Sequence, residues 1–169
     1  MAGDKRAIVS SAHLADGTAP ALSELEFSLT LAAAAYQRWI ARCAAAAGLA
    51  LSPLEVLILH TVRHRDRAKR IADITLVLDI EDTHLVTYAI RKLERAGLIA
   101  TRRAGKEKLV AATDAGRDFC AQYRDIRERV LASAIVADGP DSADLSTAAD
   151  LLRRLSGQYN QAARAAATL

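Results

Sequence analysis

The stretch from Asp82 to Val110, DTHLVTYAIRKLERAGLIATRRAGKEKLV, constrains the fold more than any other part of the chain. Its first half carries Leu85, Val86, Ala89, Ile90 and Leu93, near the spacing that puts apolar side chains on one helix face. Asp82 is placed to cap that helix and Gly97 to stop it. The second half changes period. Leu98 to Arg102 and Lys108 to Ala112 read as antiparallel strands, with Ala104-Gly105-Lys106 near the turn, where Gly105 gives the backbone its freedom. The apolar pattern alone would suit many small domains, so the placement of charge has to narrow the choice.

That charge is concentrated. The chain has a formal net charge of only +3. From His60 to Lys108, however, there are 12 Lys and Arg against 7 Asp and Glu, while the rest holds 11 against 13. The helix face opposite the apolar stripe carries Thr83, His84, Thr87, Tyr88, Arg91, Lys92 and Arg95. The hairpin puts Arg102, Arg103, Lys106 and Lys108 within seven residues, with Glu107 among them. A third group, Arg63, Arg65, Arg67, Lys69 and Arg70, precedes or opens the helix before. Taken alone, each is an ordinary solvated surface, and a charged hairpin edge also resists strand aggregation. Three basic groups on consecutive elements point to a polyanionic partner. Glu81 and Asp82 weigh the other way, and capping of the helix dipole explains them.

Around this segment the sequence reads as helix. Leu22 to Ala47 repeats apolar residues at Leu25, Leu29, Ala32, Tyr36, Trp39, Ile40 and Cys43 before Gly48. Ser52-Pro53, with Glu55 three residues after the serine, is a capping-box start for a helix to about His64. Arg70 to Leu78 is a short helix with Ile71, Ile74, Leu76 and Leu78 as its apolar set, and Asp79-Ile80-Glu81 forms a turn. Thr113 to about Ala137 reads as one helix with Phe119, Tyr123, Ile126, Val130 and Leu131 as its stripe, and a last helix starts at Ser142 or Asp144. Much of the 51% apolar content is alanine, and aromatic content is 4%. Alanine favours helix but buries little surface, so these helices are expected to complete their core against a partner. The expected class is mostly α with a small β-hairpin wing. The expected division is a flexible arm over 1–21, a helix over 22–50, a winged helix-turn-helix over 51–112 and C-terminal helices over 113–169.

In a helix-turn-helix, early side chains of the second helix meet base edges in the major groove, and the first helix crosses the backbone. Here the early residues are Thr83, His84, Thr87 and Tyr88, while Arg91, Lys92 and Arg70 are placed for phosphates. Arg102, Arg103, Lys106 and Lys108 supply a wing that can reach a minor groove. Which of them face DNA depends on strand register, which the sequence leaves open.

This order resembles the multiple antibiotic resistance regulator (MarR) family of winged-helix repressors. The resemblance is carried by Ile71 to Gly97, most sharply by THLVTYAIRKLERAGLI, since LERAGLI followed by a basic wing is frequent in that family. It covers roughly residues 22 to 167 as an order of elements. The family resemblance implies a homodimer built from the first and last two helices, palindromic double-stranded DNA sites, and a pocket for a small aromatic or apolar effector. In this chain such a pocket would take Tyr36, Trp39, Arg42, His60 and Tyr123, each of which is also an ordinary packing residue. Two features depart from the family: the wing RRAGKEK is short, and Tyr88 stands where arginine is common. A PadR-like winged helix is a near-neighbour of the same architecture.

The remaining residues argue for a binder without a cofactor rather than an enzyme. No nucleophile and base share a motif, no glycine-rich phosphate loop occurs, and the four histidines lack metal-ligand spacing. Cys43 and Cys120 are far apart and read as small buried residues of a reducing cytoplasm. No apolar run reaches the ~20 residues needed to span a bilayer, so no membrane role is expected. The alternative to a DNA reader is a winged helix that binds an acidic protein through the same face.

Overall fold

The computed structural model describes residue 9 and residues 12–169. The chain divides into two compact units, Met1–Arg124 and Asp125–Leu169. In the first, α1 (Ala12–Ala15) and α2 (Pro20–Ala46) precede α3 (Pro53–Arg63), β1 (Lys69–Arg70), α4 (Ile71–Val77), α5 (Thr83–Arg95), β2 (Ile99–Ala104), β3 (Glu107–Ala112) and all but the last three residues of α6 (Asp114–Arg127). The second holds a π-helical turn (Glu128–Ala132), α7 (Ser133–Asp138) and α8 (Ser142–Ala166). The fold class is mostly α with a small antiparallel sheet, as the sequence indicates.

The local signals work through their expected hydrogen bonds. The Glu55 N–H donates to Ser52 Oγ at 3.3 Å and the Ser52 N–H to the Glu55 carboxylate at 2.9 Å, closing the capping box that starts α3. Asp82 accepts the His84 N–H at 2.8 Å to start α5. Gly97, at φ +72°, turns the chain from α5 into β2, a conformation glycine adopts without strain. Thr113 Oγ accepts the Gly116 N–H at the start of α6.

The core of this unit gathers Ile40, Cys43 and Ala44 of α2, Val56, Ile58, Leu59 and Val62 of α3, and Ile74 of α4. Val86, Ala89, Ile90 and Leu93 of α5, Leu98, Ile99 and Val110 of the hairpin, and Phe119 and Tyr123 of α6 complete it. Burying each large aliphatic is worth about 1.5–3 kcal/mol, which is what fixes α5 and the wing to one scaffold.

Several expectations are corrected. Leu85 is 53% exposed and lies outside the core, because it flanks a buried stripe that takes only four residues of α5. Leu76 is 80% exposed, so the apolar set of the short helix does not all face inward. The expected helix from Thr113 to Ala137 is α6, a π-helical turn and α7 in succession, and Val130 is exposed. A two-residue strand, Lys69–Arg70, is not among the expected elements and takes Arg70 from the start of the expected short helix, which begins at Ile71 instead; it adds to β3 to make a three-stranded sheet in the order β1-β3-β2. Within the segment expected to be a flexible arm, Ala12–Ala15 is a helical turn. The rest of that expectation, residues 1–8, 10 and 11, lies outside the described residues.

In the second unit no described side chain is buried. Asp141 caps α8 by accepting the Asp144 N–H at 2.8 Å. Leu145, Leu151 and Leu152 of α8 stay exposed.

Candidate nucleic-acid interface

The wing register shows which of the basic wing residues share a face. Ile99 pairs with Ala112, Thr101 with Val110 and Arg103 with Lys108, while Arg102 pairs with Leu109 and Ala104 with Glu107. Directly opposite residues share a face. Arg103 and Lys108 therefore continue the face that carries Ile99 and Val110 out beyond the core, and both are exposed. Neither has a counter-ion among the described residues. Gly105 and Lys106 form the two-residue turn, with Gly105 at φ +63°.

On the other wing face, Arg70 pairs across β1 with Leu109. Its guanidinium bonds Asp73 at 2.8 Å and 3.0 Å and Glu107 at 3.3 Å. The hydrogen bonds to Asp73, then to Glu107, hold this guanidinium above its usual range. Arg70, expected to meet phosphate, thus ties the start of α4 to the wing. Its neighbour Lys69 gives its ammonium to the carbonyls of Val62, His64 and Arg67.

On α5, Thr83, His84, Tyr88, Arg91 and Lys92 are exposed and Thr87 is partly so. Thr87 Oγ donates to the Thr83 carbonyl at 2.9 Å, leaving its lone pairs and methyl outward. Leu85, expected in the core, instead puts an apolar side chain near the first turn, where it can pack on a thymine methyl. Lys92 is engaged: its Nζ sits 2.5 Å from Glu55, whose carboxylate holds the ammonium above its usual range by hydrogen bonding. Glu94 accepts from both the N–H (3.2 Å) and the hydroxyl of Thr101, fastening the end of α5 to β2. The sequence carries no sign of these two contacts across elements. The partners of Glu55 and Glu94 lie on other elements, and no local spacing signals them.

Of the residues assigned to a pocket, the structure brings two together. The His60 and Tyr123 rings meet edge-on, centroids 4.8 Å apart. His60 also lines a cavity of about 420 Å³ with Leu57, Thr61, His64, Lys69, Val77 and Leu78. Tyr36, Trp39 and Arg42 of α2 do not line it, and Tyr36 is exposed. Among the described residues, the buried His60 Nε2 has no hydrogen-bond partner. Burial pushes the imidazole below its usual value. Such a group binds a proton more readily when unfolded, so its contribution to stability is full above about pH 6.5 and is lost as pH falls toward the folded-state value. The melting temperature should therefore drop on acidification from about pH 7.5 to about 5.5, and His60→Gln should flatten that decline. Thermal melts across this range check it, and parallel curves for the two proteins would contradict it.

The helix pair α4–α5, the capped α3 beneath it and the three-stranded wing match the family model described as a winged helix DNA-binding domain, over residues 51–116. Residues 51–116 form a winged helix domain. No curated protein matches the chain. Solved structures extend the likeness beyond the winged helix domain. A mutant of MarR from E. coli, complexed with operator DNA, is 14% identical over 83% of this chain and 99% of its own, with a TM-score of 0.68. CouR from Rhodococcus jostii RHA1, bound to p-coumaroyl-CoA, is 17% identical over 78% and 90%, with a TM-score of 0.62. BpsR from Bordetella bronchiseptica, in a study of DNA-binding regulation by 6-hydroxynicotinic acid, is 24% identical over 76% and 92%, with a TM-score of 0.57. The chain has the fold of MarR-family regulators. Among the described residues, no helix is long and apolar enough to cross a membrane.

Proposed function

We propose that this chain is a sequence-specific, double-stranded DNA-binding transcriptional regulator that acts as a homodimer, a repressor relieved by a small aromatic or apolar molecule. One observation carries the DNA part. Arg103 and Lys108 stand directly opposite each other on the wing with no described counter-ion, an arrangement that costs stability in the free protein. A phosphate backbone supplies the missing charge. The exposed face of α5, with Thr83, His84, Thr87, Tyr88 and Arg91 beside Leu85, supplies groups for base edges and nearby phosphates. Arg102 and Lys106 extend the wing's charge.

The homodimer is supported by apolar side chains that a single chain leaves uncovered: Leu22, Leu29, Leu31 and Tyr36 on α2, and Leu145, Leu151 and Leu152 on α8. Effector relief is supported by the cavity at His60, whose volume falls in the range of small-ligand sites. The operator complex of the E. coli protein and the small molecules named for CouR and BpsR agree with this reading.

Selection of bound fragments from random duplex DNA is the test. The expected outcome is a two-fold symmetric site with half-sites about one helical turn, ~34 Å, apart. If mobility-shift titration finds no duplex bound even at low salt, the reading fails and an acidic protein partner for the basic face takes its place.

A further inference from the structure

Among the cations on the exposed surface of α5, Lys92 is the one held by a buried acid. Glu55 is only 3% exposed, and one of its carboxylate oxygens accepts the Ser52 N–H in the capping box. The other lies 2.5 Å from Lys92 Nζ. Ser52 and Glu55 open α3, whose Val56 and Leu59 are buried in the core shared with Val86, Ile90 and Leu93 of α5. The ion pair therefore joins the fixed start of one helix to the last turn of the other. Lys92 Nζ also sits 5.9 Å from the centre of the Tyr88 ring, close enough for the cation to bias where that exposed ring lies.

Phosphate is a poor alternative partner for this ammonium. To reach it, Lys92 would have to leave a nearly buried carboxylate without its cation, and an unpaired buried charge is strongly disfavoured. Arg91, one residue earlier, is exposed and its guanidinium has no side-chain partner among the described residues. The two neighbours thus carry equal charge in opposite circumstances.

Building on the DNA-binding reading above, we infer that Lys92 is a positioning residue for sequence discrimination: through Glu55 it sets the seat of α5 and the place of Tyr88, and it gives no contact to the DNA backbone. Arg91 is the phosphate contact of this pair. Discrimination at the base nearest Tyr88 depends on an ion pair on the protein side of the helix.

The experiment compares Lys92→Met, Lys92→Arg, Arg91→Gln, Glu55→Gln and the double variant Glu55→Gln/Lys92→Met, in the full chain. Each is titrated with the selected operator and with unrelated duplex over a range of salt, and each is melted without DNA. Arg91→Gln should lower affinity for both duplexes alike and reduce the logarithmic salt slope by about 0.9 for each phosphate it no longer neutralises. Lys92→Met should leave the slope unchanged, narrow the gap between operator and unrelated duplex several-fold, and lower the melting temperature. Lys92→Arg, which keeps a cation for Glu55, should restore both. The double variant should recover melting temperature relative to Lys92→Met, because the buried acid that needed a cation is gone, but not discrimination, because the pair that places Tyr88 is gone with it.

Lys92→Met behaving like Arg91→Gln, with a reduced slope and an unchanged gap, would overturn the inference. So would a double variant that discriminates as well as wild type. A wild-type protein that binds no duplex would remove the DNA reading and this inference with it. Coupling between Glu55 and Lys92 in the melts alongside unchanged discrimination would remove this inference alone.

Discussion

Replacing Arg103 and Lys108 together with alanine is expected to lower affinity for every duplex, operator and unrelated alike, by roughly one to two orders of magnitude at moderate salt. The logarithmic salt slope should fall by about 0.9 for each phosphate left without its cation. The same double variant should melt no earlier than wild type. These side chains face each other across the ladder, and like charges placed so cost a hairpin roughly 0.2–1 kcal/mol. Weakened binding together with kept or raised stability is the signature of a surface selected for a ligand. Titrations at several salt concentrations, with melts on the same samples, read both. Unchanged DNA affinity would sink the assignment of the wing, and a fall in stability matching the fall in affinity would show that the pair serves the fold.

The largest expected effect on stability lies away from this surface, at Gly116 in the first turn of α6. A Cβ built there would stand 2.0 Å from the Leu98 carbonyl oxygen and 3.0 Å from its carbon. The contact is with backbone, and that backbone is pinned. The Thr113 N–H donates to Leu98 O at 3.1 Å, Thr113 Oγ donates to Gly97 O at 2.6 Å and accepts from the Gly116 N–H at 3.1 Å. Gly116→Ala should therefore cost about 3 kcal/mol, the upper part of the range for forcing extra atoms into a packed site. That outweighs the ~1 kcal/mol by which alanine is favoured over glycine inside a helix. Urea unfolding should show a lower midpoint at an unchanged slope. A variant as stable as wild type would mean that α6 and the Gly97–Leu98 turn are not locked together as described.

The parts of this architecture that are legible in the sequence are those encoded by neighbours. Ser52 and Glu55 announce a helix start because both halves of the capping box lie within one turn. Gly97 marks the stop of α5 and Gly105 the hairpin turn for the same reason. The illegible parts depend on what a residue meets from elsewhere. Leu85 falls at the edge of an apolar stripe, and periodicity cannot say how far a neighbouring element covers that edge. Lys69 and Arg70 form a strand only because β3 offers them an edge, since two residues carry no pattern of their own. Arg103 and Lys108 share a face because the turn holds two residues, and one residue more would have altered the pairing.

The candidate site divides in the same way. Counting charge finds Arg70 and Lys92 as readily as Arg103 and Arg91. Only the fold shows that the first two have acidic partners, Glu107 with Asp73 for Arg70 and Glu55 for Lys92. The pocket expectation mixes residues of α2 with His60 and Tyr123, and the rings of the last two meet, from α3 and α6.

The contact between Arg70 and Glu107 also gauges the length of the wing. Arg70 sits at a fixed place, opposite Leu109, and Glu107 lies two residues nearer the tip. One extra cross-strand pair inserted between them would move Glu107 to the opposite face of the hairpin. Two extra pairs would return it to the right face but carry it about 7 Å out of reach, at ~3.4 Å per residue. Neither a longer nor a shifted wing can keep this bond, so the reach of the hairpin tip is measured off from the start of α4.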